Sequence, residues 1–410
     1  MLSKLVEVKA RALEIAGEVT GWRRELHKIP ETGIHTPDTQ AFICKELDKL
    51  GISYRKDVGR NGCTGIVALI EGTKGGAGGK GKVFALRADC DGLPIKEETG
   101  LPFASTNGNM HACGHDAHSA IALGAAKILK ENISEIEGTV KLIFQPGEEG
   151  NSEGPGGAKR MLEDGALENP HVDAIMGLHV GALTKGAVGT FSYRRESAMA
   201  CMDRFEIVVK GVGSHGSAPQ NSVDPIMIAA EIVVALQTVV SREISPLTPA
   251  VISICAIHAG SAFNIIPSEC KLTGTIRALK NELRELLAKR IGEIAASVAG
   301  GMRGSVEYDF NWDGPPPVVN NPQVVEEFRA VAEHLFAGDV SELPDPIMGG
   351  EDIAFFLNEA PGAFVFLNTC DSEKHKVYNH NSKFDIDDDC LWRGSAVMSA
   401  MALQWLADHK

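Results

Sequence analysis

The sequence predicts an α/β protein with a mainly parallel sheet, interrupted by a smaller inserted domain of ferredoxin-like βαββαβ order. Three observations lead there. Helix-period segments alternate with short β-branched runs until about residue 183, the pattern of strands joined by crossover helices. Between residues 195 and 312 the order becomes strand, helix, strand, strand, helix, strand. At 410 residues the chain also exceeds what one core usually supports. The division is therefore a discontinuous main domain of residues 1–194 and 313–410 around an insert of 195–312, whose exit Pro315-Pro316-Pro317 marks.

The elements follow in order. Apolar residues recur with helical period from Val6 to Lys28, and a second amphipathic helix, Asp38 to Leu50, stops at Gly51. Strands are expected at Gly65–Ile70 and Lys82–Asp89, with the glycine-rich run Gly72–Lys82 as a hairpin turn between them. That run lacks the Gly-Lys-Ser/Thr ending and following helix of a phosphate-binding loop. A helix over Ala117–Leu129 has Asp116 placed as its cap, and strands Thr139–Phe144 and Asp173–Leu178 follow. The insert reads as strand Phe205–Val209, helix Pro225–Val240, strands Ala250–Ile257 and Cys270–Ala278, helix Lys280–Ala299 and strand Ser305–Phe310. Helix Gln323–Phe336, a loop at Gly349-Gly350-Glu351-Asp352 and a helix from Asp387 onward resume the main domain.

Composition narrows the function. With 54 acidic against 40 basic residues the net charge is −14, which repels nucleic-acid phosphates and anionic membranes and leaves small molecules as the expected partners. No long uncharged apolar run suggests a membrane span, and the N-terminus lacks the pattern of a signal peptide. Nine cysteines, an odd number without paired spacing, suit reduced thiols. Cytoplasmic residence is the expectation.

The chemistry starts at His111-Ala112-Cys113-Gly114-His115-Asp116. One loop offers a thiol, two imidazoles and a carboxylate, a set that suits a borderline divalent ion better than calcium or magnesium. It is not a haem-attachment motif, because Cys113 precedes Gly-His rather than closing a Cys-x-x-Cys-His run, and no second Cys or His pair completes a zinc knuckle. Polar residues at a helix start would explain the hexapeptide equally well. Further along, Asp89, Asp91, Glu148, Glu149 and His179 all fall near the carboxyl ends of expected strands, where ligands collect in open α/β sheets. That shared placement favours a metal site.

Longer motifs then align. They include Trp22-Arg23-Arg24-Glu25-Leu26-His27, Ala85 to Pro94, Met110 to His118, Phe144-Gln145-Pro146-Gly147-Glu148-Glu149, Gly177-Leu178-His179-Val180, Gly213-Ser214-His215-Gly216, Asn264-Ile265-Ile266-Pro267, Gly349-Gly350-Glu351-Asp352 and His380 to Asp385. In order and number these resemble the dinuclear-metal amidohydrolases and peptidases that include hippurate hydrolase, the plant auxin-conjugate hydrolases, bacterial N-acyl-amino-acid amidohydrolases and aminobenzoyl-glutamate hydrolase. The resemblance covers nearly the whole chain and implies a metallopeptidase-like catalytic domain with a satellite domain for dimerisation.

The resemblance further implies that Cys113, His115, Glu149, His179 and His380 hold two divalent metal ions. Manganese or zinc is expected, with cobalt and nickel also compatible with the donor set. Glu148 is implied as the general base, which takes a proton from water and passes it to the leaving amine. Related peptidases carry a histidine ligand where Asp89 falls. Asp91 is therefore assigned to orienting a ligand imidazole, while Asp89 is left as a structural or substrate-side carboxylate; His111 and His118 are expected to hydrogen-bond behind the ligands. His215 is implied as the donor to a developing oxyanion in the site of a partner subunit, with Asn264, Arg277 and the backbone at Gly350 holding substrate. A homodimer follows from that. The expected activity is metal-dependent hydrolysis of N-acyl amino acids to a carboxylic acid and a free amino acid. A dipeptidase or carboxypeptidase is the alternative, and a non-catalytic binding protein on the same fold is disfavoured by the intact Glu148 and five ligands.

Overall fold

The computed structural model describes residues 2–74, 81–150, 154–370 and 377–409. The chain forms two compact units, one of residues 1–198, 320–346 and 352–410, the other of 199–319 and 347–351.

The first unit is built on an eight-stranded mixed sheet. Its strands run, edge to edge, Ser53–Val58, Gly65–Glu71, Thr139–Gln145, Val83–Asp89, Ala174–Gly181, Gly362–Asn368, Phe191–Tyr193 and Val340–Glu342. The central neighbours Thr139–Gln145, Val83–Asp89, Ala174–Gly181 and Gly362–Asn368 all pair in parallel. Each is buried along its whole length, as a parallel strand covered on both faces must be. Helices His115–Glu131 and Leu391–Asp408 pack together through small and apolar side chains, with Ser395 Oγ donating to Ile121 O at 2.9 Å.

The strand order overturns one expectation. Gly65–Glu71 and Val83–Asp89 are not hairpin partners, because Thr139–Gln145 lies between them, antiparallel to the first and parallel to the second. Residues 75–80 of the glycine-rich run lie outside the described residues. The single helical stretch expected from Val6 is two helices, Leu2–Glu14 and Ala16–His27, separated at Ile15.

The second unit carries a four-stranded antiparallel sheet in the order Ala250–Ala259, Glu269–Ala278, Asp203–Lys210, Ser305–Asn311. Helices Pro225–Thr238 and Asn281–Gly301 cover it through Ile228, Ile232, Leu236, Leu287, Ile291 and Ala295. With β-strand sequence order 2-3-1-4 this is the ferredoxin-like arrangement of the βαββαβ pattern. Among the described residues one helical stretch, Pro225–Glu243, is long and apolar enough to cross a membrane by length and composition alone, although it is not uncharged, carrying Glu231, Arg242 and Glu243. One face of this helix is in the core, at Pro225, Ile228, Ala229, Ile232 and Leu236, so core burial accounts for part of its apolar character.

Candidate metal centre

Short-range geometry sets the first two donors. Gly114 adopts φ 93°, and a Cβ there would stand 2.6 Å from Val180 Cγ2, so only glycine turns the chain this closely past the strand. The turn places Cys113 just before helix His115–Glu131, of which His115 is the first residue rather than part of the preceding loop. Asp116 does not cap that helix. Its Oδ2 instead accepts from Arg23 Nε at 2.8 Å and from His27 Nδ1 at 2.7 Å, so two residues of the second helix outcompete the local backbone.

Glu148 and Glu149 follow strand Thr139–Gln145 through Gly147, at φ 71°. Asp91 holds them: its two carboxylate oxygens accept the backbone N–H of Glu148 at 3.0 Å and of Glu149 at 3.1 Å. The expected link from Asp91 to an imidazole is carried mainly by its backbone. His115 Nδ1 donates to Asp91 O at 3.0 Å and lies 3.4 Å from the carboxylate. His179 sits within strand Ala174–Gly181, not beyond its end, opposite Phe366 of the neighbouring strand. His380 lies in a turn after the strand region, at φ 66°, a strained value for a non-glycine residue that concentrates at functional sites. Its N–H donates to Ala112 O at 2.8 Å, tying this turn to the Cys113 loop.

These segments converge. Cys113 Sγ lies 3.5 Å from His179 Nε2 and 3.3 Å from His380 Nε2, and Glu149 Oε1 lies 3.1 Å from His380 Nε2. His115 Nε2 is 3.8 Å from Glu148 Oε2 and 4.0 Å from Glu149 Oε1. Donor atoms around a four-coordinate ion stand about 3.3–3.8 Å apart, so the spacing fits N, O and S ligation. Cys113, His115 and His179 form one such group and Cys113, Glu149 and His380 another, with the thiol common to both. His115 Nε2 is buried without a hydrogen-bond partner, the state of a ligand nitrogen rather than of a satisfied core imidazole. The residues therefore fit a pair of cations.

Electrostatics agree. Burial pushes the Cys113 thiol up, and Glu149 adds to that, while hydrogen bonds from Cys113 and Glu149 push His380 up to about 10. Burial holds His179 well below the usual imidazole range. Buried carboxylates and a thiol in one space create a demand for positive charge that bound cations meet by displacing protons.

His215, Asn264, Arg277 and Gly350 lie in the second unit. His215 and Asn264 are adjacent there and exposed, with Gly216 N donating to Asn264 O at 2.8 Å. His215 borders a cavity of about 570 Å³ with Ser214, Ser261 and Pro267. Arg277 is half-buried, its guanidinium donating to Thr275 Oγ1 at 2.6 Å and Ile276 O at 2.8 Å. Gly350 packs where a Cβ would meet Met202 Cβ at 2.6 Å.

A sequence model of peptidase family M20/M25/M40 matches residues 85–404. The chain belongs to this peptidase family. Members similar to it include thermostable carboxypeptidase 1 of Saccharolobus solfataricus, 38% identical over 95% of this chain and 96% of that protein. N-acetyl-L-cysteine deacetylase of Bacillus subtilis is 38% identical over 96% of this chain and 89% of that protein. The solved structure of the Bacillus subtilis YXEP protein, described as a dinuclear metal binding peptidase of the M20 family, superposes with a TM-score of 0.80 at 32% identity, covering 96% of this chain and 99% of that one. The protein is thus an M20-family hydrolase acting on amides.

Several M20-site residues carry structural work that their motifs did not disclose. Asn379 donates from Nδ2 to Cys113 O at 3.2 Å and to Cys113 Sγ at 3.8 Å. Arg87 reaches Gln145 Oε1, Asp89 and Asp352, each at 2.8 Å, which holds one oxygen of the buried Asp89 carboxylate. His111 does not take the hydrogen-bonding role expected of it: neither ring nitrogen has a partner among the described residues. Arg87 and His111 lie within matching motifs, whereas Asn379 lies just outside one and had no signal of its own.

Proposed function

We propose that this protein is a dinuclear-metal amidohydrolase that cleaves N-acyl amino acids into a carboxylic acid and a free amino acid. The observation that carries this reading is the convergence of Cys113, His115, Glu149, His179 and His380 beside the carboxylate of Glu148. Two divalent cations, manganese or zinc and less readily cobalt or nickel, would lower the pKa of a water towards about 7 and polarise the amide carbonyl. Glu148, held by Asp91 through its backbone N–H, takes the proton of that water and returns it to the leaving nitrogen. His115 is kept with Nε2 free by donating from Nδ1 to Asp91 O.

His215 would supply a hydrogen bond to the developing oxyanion, and Asn264, Arg277 and the Gly350 backbone would hold the substrate carboxylate. A homodimer fits this division of labour. Val234, Leu247, Ile257, Phe263 and Ile265 of the second unit are exposed, and strand Ala250–Ala259 is a sheet edge that would be open to pairing with its own copy under two-fold symmetry. Cytoplasmic residence remains part of the proposal.

A carboxypeptidase is the second reading, favoured by the similarity to the Saccharolobus enzyme. Assaying manganese-loaded and zinc-loaded protein against N-acetyl, benzoyl and indole-acetyl amino acids and against dipeptides, with released amine as readout, separates the two. Cleavage of acyl amino acids alone supports the proposal, and cleavage confined to peptides sinks it. Glu148→Gln is expected to lower kcat by about 10²–10⁴-fold with metal content kept; unchanged turnover would remove Glu148 as the base.

A further inference from the structure

Strand Val83–Asp89 pairs with Ala174–Gly181 only through Gly177, so the later residues of that edge lose their strand partner just where His179 stands. The backbone of Val180 lies there, and two imidazoles engage it at successive peptide groups. Its N–H donates to His118 Nε2 at 2.8 Å, and its C=O accepts from His179 Nδ1 at 2.5 Å. His118 Nε2 is therefore an acceptor, which puts its proton on Nδ1, where Asp89 Oδ1 receives it. Arg87 Nη1 fixes the other oxygen of Asp89 at 2.8 Å. His118 is buried, one helical turn beyond His115, with its ring 4.6 Å from that of His179 in a T-shaped contact.

Both nitrogens of His118 are thus committed. Although Asp89, His115 and His118 stand close enough to hold an ion, His118 could join it only by giving up the Val180 N–H, which would then be a buried donor without a partner and cost about 1–3 kcal/mol. The arrangement serves something else. The N–H that His118 holds belongs to the His179–Val180 peptide, so it restrains the backbone of His179 itself, while Val180 O on the following peptide takes the His179 Nδ1 proton; together they direct His179 Nε2 towards Cys113 Sγ at 3.5 Å.

We propose that His118 is a positioning residue for His179: as an Nδ1–H tautomer set by Asp89, it holds the N–H of the His179–Val180 peptide and so the backbone from which the His179 imidazole is aimed. The inference rests on His179 being a metal ligand, as in the proposed function. An acceptor at the Nε2 position is the chemical requirement, so glutamine, whose Oε1 reaches that place, should substitute where phenylalanine cannot.

The test is cobalt(II) and zinc(II) binding to the full-length protein, followed by calorimetry and by the cobalt absorption bands, with circular dichroism as the folding control. His118→Phe should weaken one of two ions by about 10- to 100-fold and shift the cobalt spectrum, while His118→Gln restores most of the affinity. Equal affinity and spectrum in wild type and His118→Phe would overturn the proposal, as would His118→Gln behaving like His118→Phe. A wild-type protein that binds no metal would instead defeat the metal reading itself. Should His118→Phe fail to fold, long-range ¹H–¹⁵N correlation on histidine-labelled wild type decides: a proton on Nδ1 of His118 supports the assignment, and a proton on Nε2 overturns it.

Discussion

The candidate site residues of the two compact units have opposite surroundings. In the first, Cys113, His115, His179, Asp89 and Asp91 are buried, and nearly every polar atom that does not face the donor cluster is tied to a second group. In the second, His215 and Asn264 are exposed and Arg277 is half-buried, donating to Thr275 and Ile276 of its own strand. The contrast teaches that the first unit can organise its donors unaided, because burial and cross-linking fix them before any ligand arrives. The second unit offers solvated groups that are not tied into a buried network, as the proposed substrate contacts require.

The most damaging way to break this contrast is to remove the shared donor. Cys113→Ala should release metal, measured by elemental analysis after dialysis, and lower amide hydrolysis by about 10³-fold, on the order of 4 kcal/mol of barrier. Retained metal with normal turnover would mean that the two donor groups do not share Cys113. His215→Ala is expected to reduce kcat by about 10²-fold while both ions stay bound, which separates a chemical role from an organising one. Arg277→Met should raise KM for acyl amino acids by about 10- to 100-fold, the worth of a charge-assisted hydrogen bond, with kcat changed much less. An effect of Arg277→Met on metal content would erase the distinction between the units.

The smallest expected effect concerns the buried network behind the donors. Burial alone would lower His27, but Asp116 and Glu97 outweigh it and raise the imidazole from about 6.5 to about 9. A raised folded-state value contributes stability that is fully present below about 6.5 and is lost as pH rises through about 9. Thermal melts should therefore show Tm falling across that window, by an amount corresponding to about 1–3 kcal/mol, and His27→Gln should flatten the fall. A pH-independent Tm in the parent protein would show that His27 is neutral when folded.

Legibility in the sequence followed the range of each interaction. The ferredoxin-like order of the insert was readable because it depends on local periodicity and short turns, and the strands over 139–145 and 203–210 lie close to where alternation put them. Asp116 was misread because the signal of an acidic residue at a helix start is local, whereas Arg23 and His27 reach it from 93 and 89 residues away. The glycine-rich run was misread for the same reason: nothing between residues 65 and 89 reveals that Thr139–Gln145 separates the flanking strands. His118 was placed correctly as a hydrogen-bonding residue, but its partners were invisible, since one is the amide of a strand residue 62 positions away.

By itself, the sequence determined the alternation of helix and strand, the inserted βαββαβ order and the supply of thiol, imidazole and carboxylate groups in motifs that resemble an amide-hydrolysing family. Those are properties of residue type and spacing. The tertiary structure alone decided that Cys113 and His380, 267 residues apart, stand at 3.3 Å, that Asp91 grips both Glu148 and Glu149, and that His115 Nδ1 meets Asp91 O. The physical reason is that donor distances and tautomers are set by strand order, loop closure and long-range hydrogen bonds, all of which come into being only when the sheet assembles.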